Sequence, residues 1–198
     1  KSNVESVVGK ASLKFTKIDS EGNIEIGWNP NGNSLSNPSF DSRNLTVKSV
    51  ADESGVLAIW TQDGNFSDIY AQMISWDGEA LWNEGGIAVS EADNDQVNFS
   101  FEFNESKTHA LVTWEDYRNG TDFEIFGEVI DLESGSSNNQ DIQFSNDTTN
   151  QYNPTMALVQ NNEFLVIWED ERGYYNADPL LINGVDLYGS GYIIGQGM

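Results

Sequence analysis

Tryptophan recurs at a fixed interval in this chain, and that interval restricts the fold more than any other feature. Three short apolar runs end in tryptophan, at Trp60, Trp114 and Trp168, and neighbouring members of this series are 54 residues apart. Trp28 and Trp82 have the same spacing, and each lies 32 residues before a tryptophan of the first series. A fixed period of this length is typical of repeat proteins. The chain is therefore predicted to consist of repeated structural units.

Within one period the apolar pattern predicts β-strands throughout. Residues 97–103 alternate between apolar and polar side chains, which is the period of a strand with one covered face. Residues 109–114 are apolar on both faces, as expected of a strand covered on both sides, and residues 122–131 follow as a third strand. Asp77-Gly78 is a strong hairpin signal, and a shorter fourth strand is predicted near residues 86–90.

Four antiparallel strands in about 50 residues, labelled a to d, form the pattern of one β-propeller blade. The predicted fold is therefore an all-β propeller of blades of about 54 residues, in which the strand tryptophans pack between blades. Closed propellers usually contain about four to eight blades, so further blades are expected from a longer chain or an assembly. The alternative is an open stack of sheets with exposed ends. The predicted segments are a partial blade at 1–42, complete blades at 43–96 and 97–150, and a partial blade at 151–198. The first partial blade contains strand c near Ser12–Asp19 and strand d near Trp28, and the last contains strands a to c.

Two of the strand tryptophans are followed by the same motif, Glu-Asp-x-Arg. Residues two apart in a strand share a face, so Asp116 with Arg118, and Asp170 with Arg172, are predicted to form ion pairs between blades. The alternative assigns these arginines to an anionic ligand. The structural role is favoured because a residue that recurs from blade to blade usually serves the blade.

Several motifs follow one another in a fixed order: Trp-Glu-Asp-x-Arg, Ile-Tyr-Ala-Gln at 69–72, Asp-Gly at 77–78, Trp82 with Gly85-Gly86, and Gln-x-x-Pro at 151–154. Their order resembles a β-propeller-like repeat of large secreted and cell-surface proteins of Bacteroidetes and related bacteria. The resemblance covers roughly residues 12–198 and implies a module of an extracellular or bacterial cell-surface protein. Thr61-Gln62-Asp63 departs from the pattern because no arginine follows Trp60.

The last predicted blade contains an insertion in its b–c loop. If Ile193–Met198 matches the c strands at 69–74 and 125–130, about 14 extra residues fall at 173–190. Long loops on repeat scaffolds often carry binding sites, and b–c and d–a loops share one end of a propeller. Tyrosine beside carboxylate suits a sugar or a protein contact, whereas the alternative is a loop that packs its own Pro179–Ile182 over the blade. The candidate ligand-binding residues are Tyr117, Tyr174, Tyr175, Asp178 and Tyr188.

The chain is strongly acidic, with 9 Lys+Arg, 32 Asp+Glu, a formal charge of −23 and no cysteine. No basic patch for nucleic acid or an anionic membrane is expected, and a disulfide scaffold is excluded. No apolar run approaches the about 20 residues of a membrane-spanning helix. Alternate carboxylates suit calcium, so Asp93 and Asp95 are candidate ligands for it. A solvated acidic loop is the alternative.

No nucleophile elbow, phosphate-binding loop or histidine-based metal motif occurs in the sequence. The expected function is a non-catalytic extracellular module for adhesion or scaffolding that binds a glycan or a cell-surface protein through its b–c and d–a loops. The alternative is the propeller portion of a carbohydrate-active hydrolase or lyase, since 32 acidic residues offer many carboxylate pairs.

Overall fold

The computed structural model describes residues 10–50, 55–137, 141–173 and 186–195, and these residues form four antiparallel sheets with one short 3-10 turn, Glu171–Gly173. The all-β prediction is confirmed. Sheet I contains β1 and β2, sheet II contains β3 to β6, sheet III contains β7 to β10, and sheet IV contains β11 to β13. Within the same ranges, no helix is long and apolar enough to cross a membrane. The strands are β1 (Lys14–Phe15), β2 (Asn33–Ser34), β3 (Asp41–Ser49), β4 (Val56–Asp63), β5 (Ser67–Ile74), β6 (Ile87–Ser90), β7 (Gln96–Phe103), β8 (His109–Asp116), β9 (Glu124–Asp131), β10 (Ile142–Gln143), β11 (Gln151–Gln160), β12 (Glu163–Asp170) and β13 (Asp186–Ile193).

Sheets II and III have the same up-and-down order, in which strands a, b, c and d pair with their neighbours in sequence. Their first strands, and that of sheet IV, begin at Asp41, Gln96 and Gln151, so successive sheets start 55 residues apart. The first d strand is β2, at Asn33–Ser34, and the prediction that placed it near Trp28 was wrong. Trp28 lies in a turn, where its backbone N–H donates to the carbonyl of Glu25.

Strand a of sheets II, III and IV contains a β-bulge opposite the strand tryptophan. In sheet III, Val97 pairs with Glu115 and Ser100 with Thr113, so two residues of β7 face Trp114 alone. The register shifts at the same place in β3 and β11. Asparagine tolerates the left-handed backbone conformation that such a bulge requires. The bulge residues are Asn44, Asn98 and Asn153, with φ of 54°, 49° and 51°.

Each strand tryptophan lies between two successive sheets. Trp60 and Trp114 are fully buried, and Trp168 is nearly so. Trp60 packs with residues of sheet I and of the segment after β2, including Phe15 and Leu35. Trp114 packs in one core with sheet II, and Trp168 in another with sheet III. These packed faces position the loops of neighbouring sheets against one another.

Trp28 and Trp82 lie at a second kind of contact between sheets, in which an indole covers a glycine of the following sheet. A Cβ added at Gly78 would lie 2.8 Å from Trp28 Cη2, and one at Gly135 would lie 2.7 Å from Trp82 Cδ2. Both glycines have positive φ, at 86° and 69°, which glycine adopts without strain. Both tryptophan series therefore mark contacts between sheets.

The register of sheet IV corrects the predicted position of its last strand. Trp168 pairs with Tyr188, so strand c is β13 and not the segment Ile193–Met198, whose alignment with the other c strands was wrong. Strand c therefore begins at Asp186, so the predicted insertion at 173–190 included residues of β13. The physical reason is that strand c places an aromatic ring opposite the strand tryptophan. The equivalent pairs are Trp60 with Tyr70 and Trp114 with Phe126.

Candidate functional site

At the end of β8, a buried carboxylate joins an indole and a guanidinium. Asp116, which is fully buried, accepts a hydrogen bond from Trp114 Nε1 at 2.7 Å. Arg118 donates to it three times, from the backbone N–H at 2.8 Å, from Nε at 2.9 Å and from Nη2 at 2.6 Å. Arg118 Nη2 also donates to Asp141 at 2.6 Å, and the guanidinium lies 3.9 Å from the ring centroid of Phe126. The predicted ion pair of Asp116 with Arg118 is therefore present, and all of its partners belong to sheet III and the segments that flank its strands.

Sheet IV builds the same unit from equivalent residues. Trp168 Nε1 donates to Asp170 at 3.3 Å, and Arg172 donates to the same carboxylate at 2.9 Å and 2.6 Å. The Arg172 guanidinium lies 4.0 Å from the ring centroid of Tyr188. Tyr188 therefore lies in strand β13 and not in the b–c loop to which the sequence prediction assigned it. Asp147 is the second acidic neighbour, 3.9 Å from Arg172 Nε.

Sheet II lacks this unit because Gln62 and Gly64 occupy the aspartate and arginine positions. Tyr70 instead stacks on Trp60, with ring centroids 6.2 Å apart and an interplanar angle of 25°. Trp60 Nε1 is buried, and no hydrogen-bond acceptor for it lies in the described part of the chain. In sheets III and IV, the aspartate supplies the hydrogen-bond acceptor that the indole N–H of Trp60 lacks among the described residues.

The hydrogen bonds of these units outweigh the effect of burial on their charges. Burial disfavours the charged form of Arg118, but the bonds to Asp116 and Asp141 raise its pKa above the ordinary value. Burial also opposes ionisation of Asp170, but the bonds from Arg172 and Trp168 lower its pKa. Since its charge is compensated by two carboxylates, Arg118 supports the structural interpretation over an anion-binding one.

The d–a loops connect neighbouring sheets at one end of the molecule, which we call the loop end. The Asp95 carboxylate accepts the Ser67 N–H at 2.9 Å, and the Asp95 carbonyl accepts the Tyr117 N–H at 2.9 Å. One period later, Asn150 bonds in the same way with Phe123 and Glu171, both at 3.1 Å. Asp95 thus joins the start of strand c of sheet II to the b–c connection of sheet III.

Asp93, the other residue predicted to bind calcium, is exposed. In residues 10–50, 55–137, 141–173 and 186–195, no three histidine or acidic side chains are grouped so as to hold a metal ion. Calcium at Asp93 and Asp95 stays a prediction from the sequence.

Three aromatic side chains form a half-buried patch at the loop end, which we call the aromatic patch. Its ring centroids are 4.9 Å apart for Tyr117 and Phe123, and 5.9 Å apart for Phe123 and Tyr152. Tyr152 is the second residue of strand a of sheet IV, so the patch spans two sheets. Beside it, Asp122 accepts hydrogen bonds from Asn119 Nδ2 at 2.6 Å and Thr121 Oγ1 at 3.1 Å.

Of this patch, the sequence prediction included Tyr117 and missed Phe123 and Tyr152. Tyr152 lies in the repeated Gln-x-Asn segment, which is the signal that marks its place at the loop end. Three other predicted ligand-binding residues, Tyr174, Tyr175 and Asp178, lie outside the described residues.

Carboxylates crowd around Asp68 at the loop end of sheet II. Burial raises the pKa of Asp68 to about 6, and the charges of Glu91, Asp95 and Asp63 add to this effect. The Tyr70 hydroxyl donates a hydrogen bond to Glu91. Burial and this hydrogen bond raise the pKa of Tyr70 as well. Asp68 is thus a carboxyl group whose pKa lies well above its ordinary value.

A cleft of about 570 Å³ lies between sheets II and III at the opposite end. Val50, Met73 and Leu132 supply its apolar lining, and His109 and Asp131 lie at its edge. His109 Nε2 is 3.6 Å from Asp131, and His109 Nδ1 is 2.9 Å from Thr108 Oγ1. The sequence contained no signal for this cleft, because its walls come from two different sheets.

Comparison with models of known families, with curated proteins and with solved structures finds no match to this chain.

Proposed function

We propose that this chain is a non-catalytic repeat module of the β-propeller type that belongs to a secreted or cell-surface bacterial protein. The observation that carries the proposal is the recurrence of the tryptophan–aspartate–arginine unit at equivalent positions of stacked sheets. In both units the charged groups bind one another and an aromatic ring, so they serve the sheet and leave no catalytic group free. Repetition of one unit with the same internal contacts is the behaviour of a scaffold.

The stacking of sheets through tryptophan supports a radial arrangement. Each of Trp60, Trp114 and Trp168 packs against the preceding sheet, so successive sheets are related in the same way. A constant relation between twisted four-stranded sheets generates a propeller when the rotation closes. Further blades, from a longer chain or an assembly, complete the ring in this proposal.

The loop end is the proposed binding surface, and a glycan is the favoured ligand. Tyrosine rings stack against the apolar face of a sugar, and neighbouring carboxylates and amides accept and donate hydrogen bonds to its hydroxyl groups. The aromatic patch with Asp122 and Asn119 beside it provides both kinds of group. A formal charge of −23 favours neutral or cationic ligands over acidic polysaccharides.

Screening the full chain on an array of neutral glycans, followed by titration calorimetry of the hits, tests this proposal. Loss of a stacking aromatic ring typically costs about 1–3 kcal/mol, so Tyr117→Ala and Tyr152→Ala are expected to weaken binding by about tenfold or more. Trp76→Ala is the matched control, because Trp76 is 40% exposed and lies in the c–d turn at the opposite end. No glycan binding, or equal weakening by Trp76→Ala, contradicts the proposal.

The raised pKa of Asp68 favours one alternative, the propeller portion of a carbohydrate-active enzyme. A protonated carboxyl beside a carboxylate is the arrangement that glycoside hydrolysis uses, with Asp68 as acid and Glu91 as its partner. Release of reducing sugar that Asp68→Asn abolishes, with glycan binding retained, supports the enzyme. Binding without turnover supports the non-catalytic module.

A further inference from the structure

The outer face of sheet IV is apolar and exposed, whereas the equivalent faces of sheets II and III are covered. In strand b, the leucine three residues before the tryptophan is fully buried at Leu57 and Leu111 but 42% exposed at Leu165. In strand c, the residue beside the aromatic partner is fully buried at Ile69 and Ile125 but 75% exposed at Leu187. Apolar side chains at equivalent register positions are therefore buried where another described sheet lies over them and exposed in sheet IV.

The structure shows what covers this face in the two earlier sheets. Leu57 and Ile69 share one core with Val112 and Trp114 of the next sheet. Leu111 and Ile125 share another core with their equivalents, Val166 and Trp168. In both cases the cover is a valine and a tryptophan two residues apart on strand b of the following sheet. The repeat thus indicates which side chains would cover the equivalent face of sheet IV, namely a valine and a tryptophan two residues apart on a strand b.

A second copy of the folded chain does not offer such a cover. Trp60, Trp114 and Trp168 are already buried between sheets of the same chain. The strands of sheet I present polar residues on the side that faces away from sheet II, among them the exposed Lys14 and Ser34. Two chains of formal charge −23 also repel one another.

A polar contact supports the same occupant. Glu115, which is nearly buried, accepts the backbone N–H of Asn153 in the bulge of the next sheet at 2.7 Å. It also accepts a hydrogen bond from Asn98 Nδ2 of its own sheet at 2.9 Å. Glu169 holds the equivalent position in β12, one residue after Trp168. An incoming strand a with the same bulge would offer it a backbone N–H.

We propose that the outer face of sheet IV, formed by Leu165, Ile167 and Leu187 with Glu169 at its end, binds a further sheet of this repeat. The incoming sheet presents valine and tryptophan two residues apart on strand b and an asparagine bulge on strand a. This inference rests on the proposed repeat scaffold and names the partner that the scaffold requires at this end.

The absence of cysteine from the sequence allows a clean labelling test. A copy of residues 96–150 is attached by a flexible linker after residue 198 of the full chain, and Leu165→Cys is the reporter in the original sheet IV. Thiol labelling of the unextended variant is expected to be fast, and extension is expected to slow it by at least tenfold. Ile18→Cys, at a position 61% exposed in the β1–β2 connection, is expected to react equally fast in both proteins.

The matched control is the same extension with its copy of Trp114 changed to aspartate, which is expected to leave labelling of Leu165→Cys fast. Unslowed labelling in the unmodified extension overturns the proposal, including the case in which the appended sheet fails to fold, because docking is what would stabilise it. Labelling that slows with concentration in the unextended chain, with a dimer in sedimentation, overturns it in favour of a second copy. Because no glycan enters this assay, its result is separate from the binding test at the loop end.

Discussion

Trp114 donates its indole N–H to Asp116, two residues later on the same face of β8, at 2.7 Å. The same carboxylate holds Arg118, so one buried charge satisfies both a neutral and a charged donor. Trp168 and Asp170 repeat this relationship in sheet IV at 3.3 Å. The unit therefore fixes the end of strand b and the start of the b–c connection together.

Removing the shared carboxylate is expected to destabilise the protein strongly. Asp116→Ala leaves the buried Trp114 N–H without its acceptor and Arg118 with one carboxylate fewer, at a cost of about 3 kcal/mol in the free energy of unfolding. Asp93→Ala, at an exposed position, is expected to change stability by less than about 0.5 kcal/mol. Urea denaturation of the two variants checks the difference. Equal effects would show that the buried unit is not a stabilising element.

Sheet II offers the reverse experiment, because it has the tryptophan without the ion pair. Gln62→Asp alone is expected to cost about 1–3 kcal/mol, since it buries a carboxylate without the arginine that pairs with the equivalent Asp116 and Asp170. Adding Gly64→Arg is expected to recover at least half of that loss. A Cβ at Gly64 meets no atom closer than 3.7 Å, so the first side-chain carbon fits without a clash. If the double variant is no more stable than Gln62→Asp in urea denaturation, the tryptophan–aspartate–arginine unit cannot be built into sheet II by these two changes.

The contact of Trp82 with Gly135 predicts a steric effect that is separable from backbone strain. Gly135→Ala places a Cβ 2.7 Å from the indole at φ of 69°. Gly22→Ala has comparable strain at φ of 87° but meets nothing within 4 Å. Gly22→Ala is expected to cost about 1 kcal/mol, and Gly135→Ala about 1–3 kcal/mol more because of overpacking. Equal melting temperatures for the two variants would argue against a close contact at Trp82.

The two register-equivalent leucines provide a matched pair for the packing between sheets. Leu111→Ala is expected to destabilise the chain by about 2–5 kcal/mol, because a buried side chain is removed from a filled core. Leu165→Ala is expected to cost less than about 1 kcal/mol, because Leu165 is 42% exposed. Thermal or urea unfolding measures both. A large loss for Leu165→Ala would mean that another part of the protein already covers that face in solution.

Asp68 predicts a pH dependence of stability with a defined sign. Its folded-state pKa of about 6 exceeds the ordinary value of 3.8, so the folded protein holds the proton more tightly than the unfolded chain. Stability is therefore lost as pH rises from about 4 through 6. After solvent screening is considered, Asp68→Asn is expected to gain about 1 kcal/mol at pH 8 and little at pH 4. The same gain at both pH values in urea denaturation contradicts this assignment.

Much of the architecture could be predicted from the sequence, because the features involved are local and periodic. The tryptophan interval marked the strand-b positions, and the alternation of side chains marked the strands. The position of β13 was missed because Ile193-Ile194-Gly195 resembles the other c strands in residue type. Pairing opposite Trp168 decides the register in the fold, and Tyr188 supplies the aromatic ring there.

The aromatic patch could be predicted only in part. Tyr117 follows a recognisable motif, but Phe123 and Tyr152 meet across two sheets. Their contact depends on how sheets III and IV stack, and that angle is set by the sum of many packed side chains. Residue spacing along the chain carries no information about it.

The bond from Glu115 to the amide of Asn153 has an evolutionary consequence. A carboxylate that holds a main-chain N–H recognises the shape of its neighbour's bulge, and any residue able to adopt that shape satisfies it. Adjoining units joined in this way tolerate divergence, duplication and exchange of their side chains. A gene for such a protein can lengthen by duplication of whole units, because each added unit can form the same contact with its neighbour.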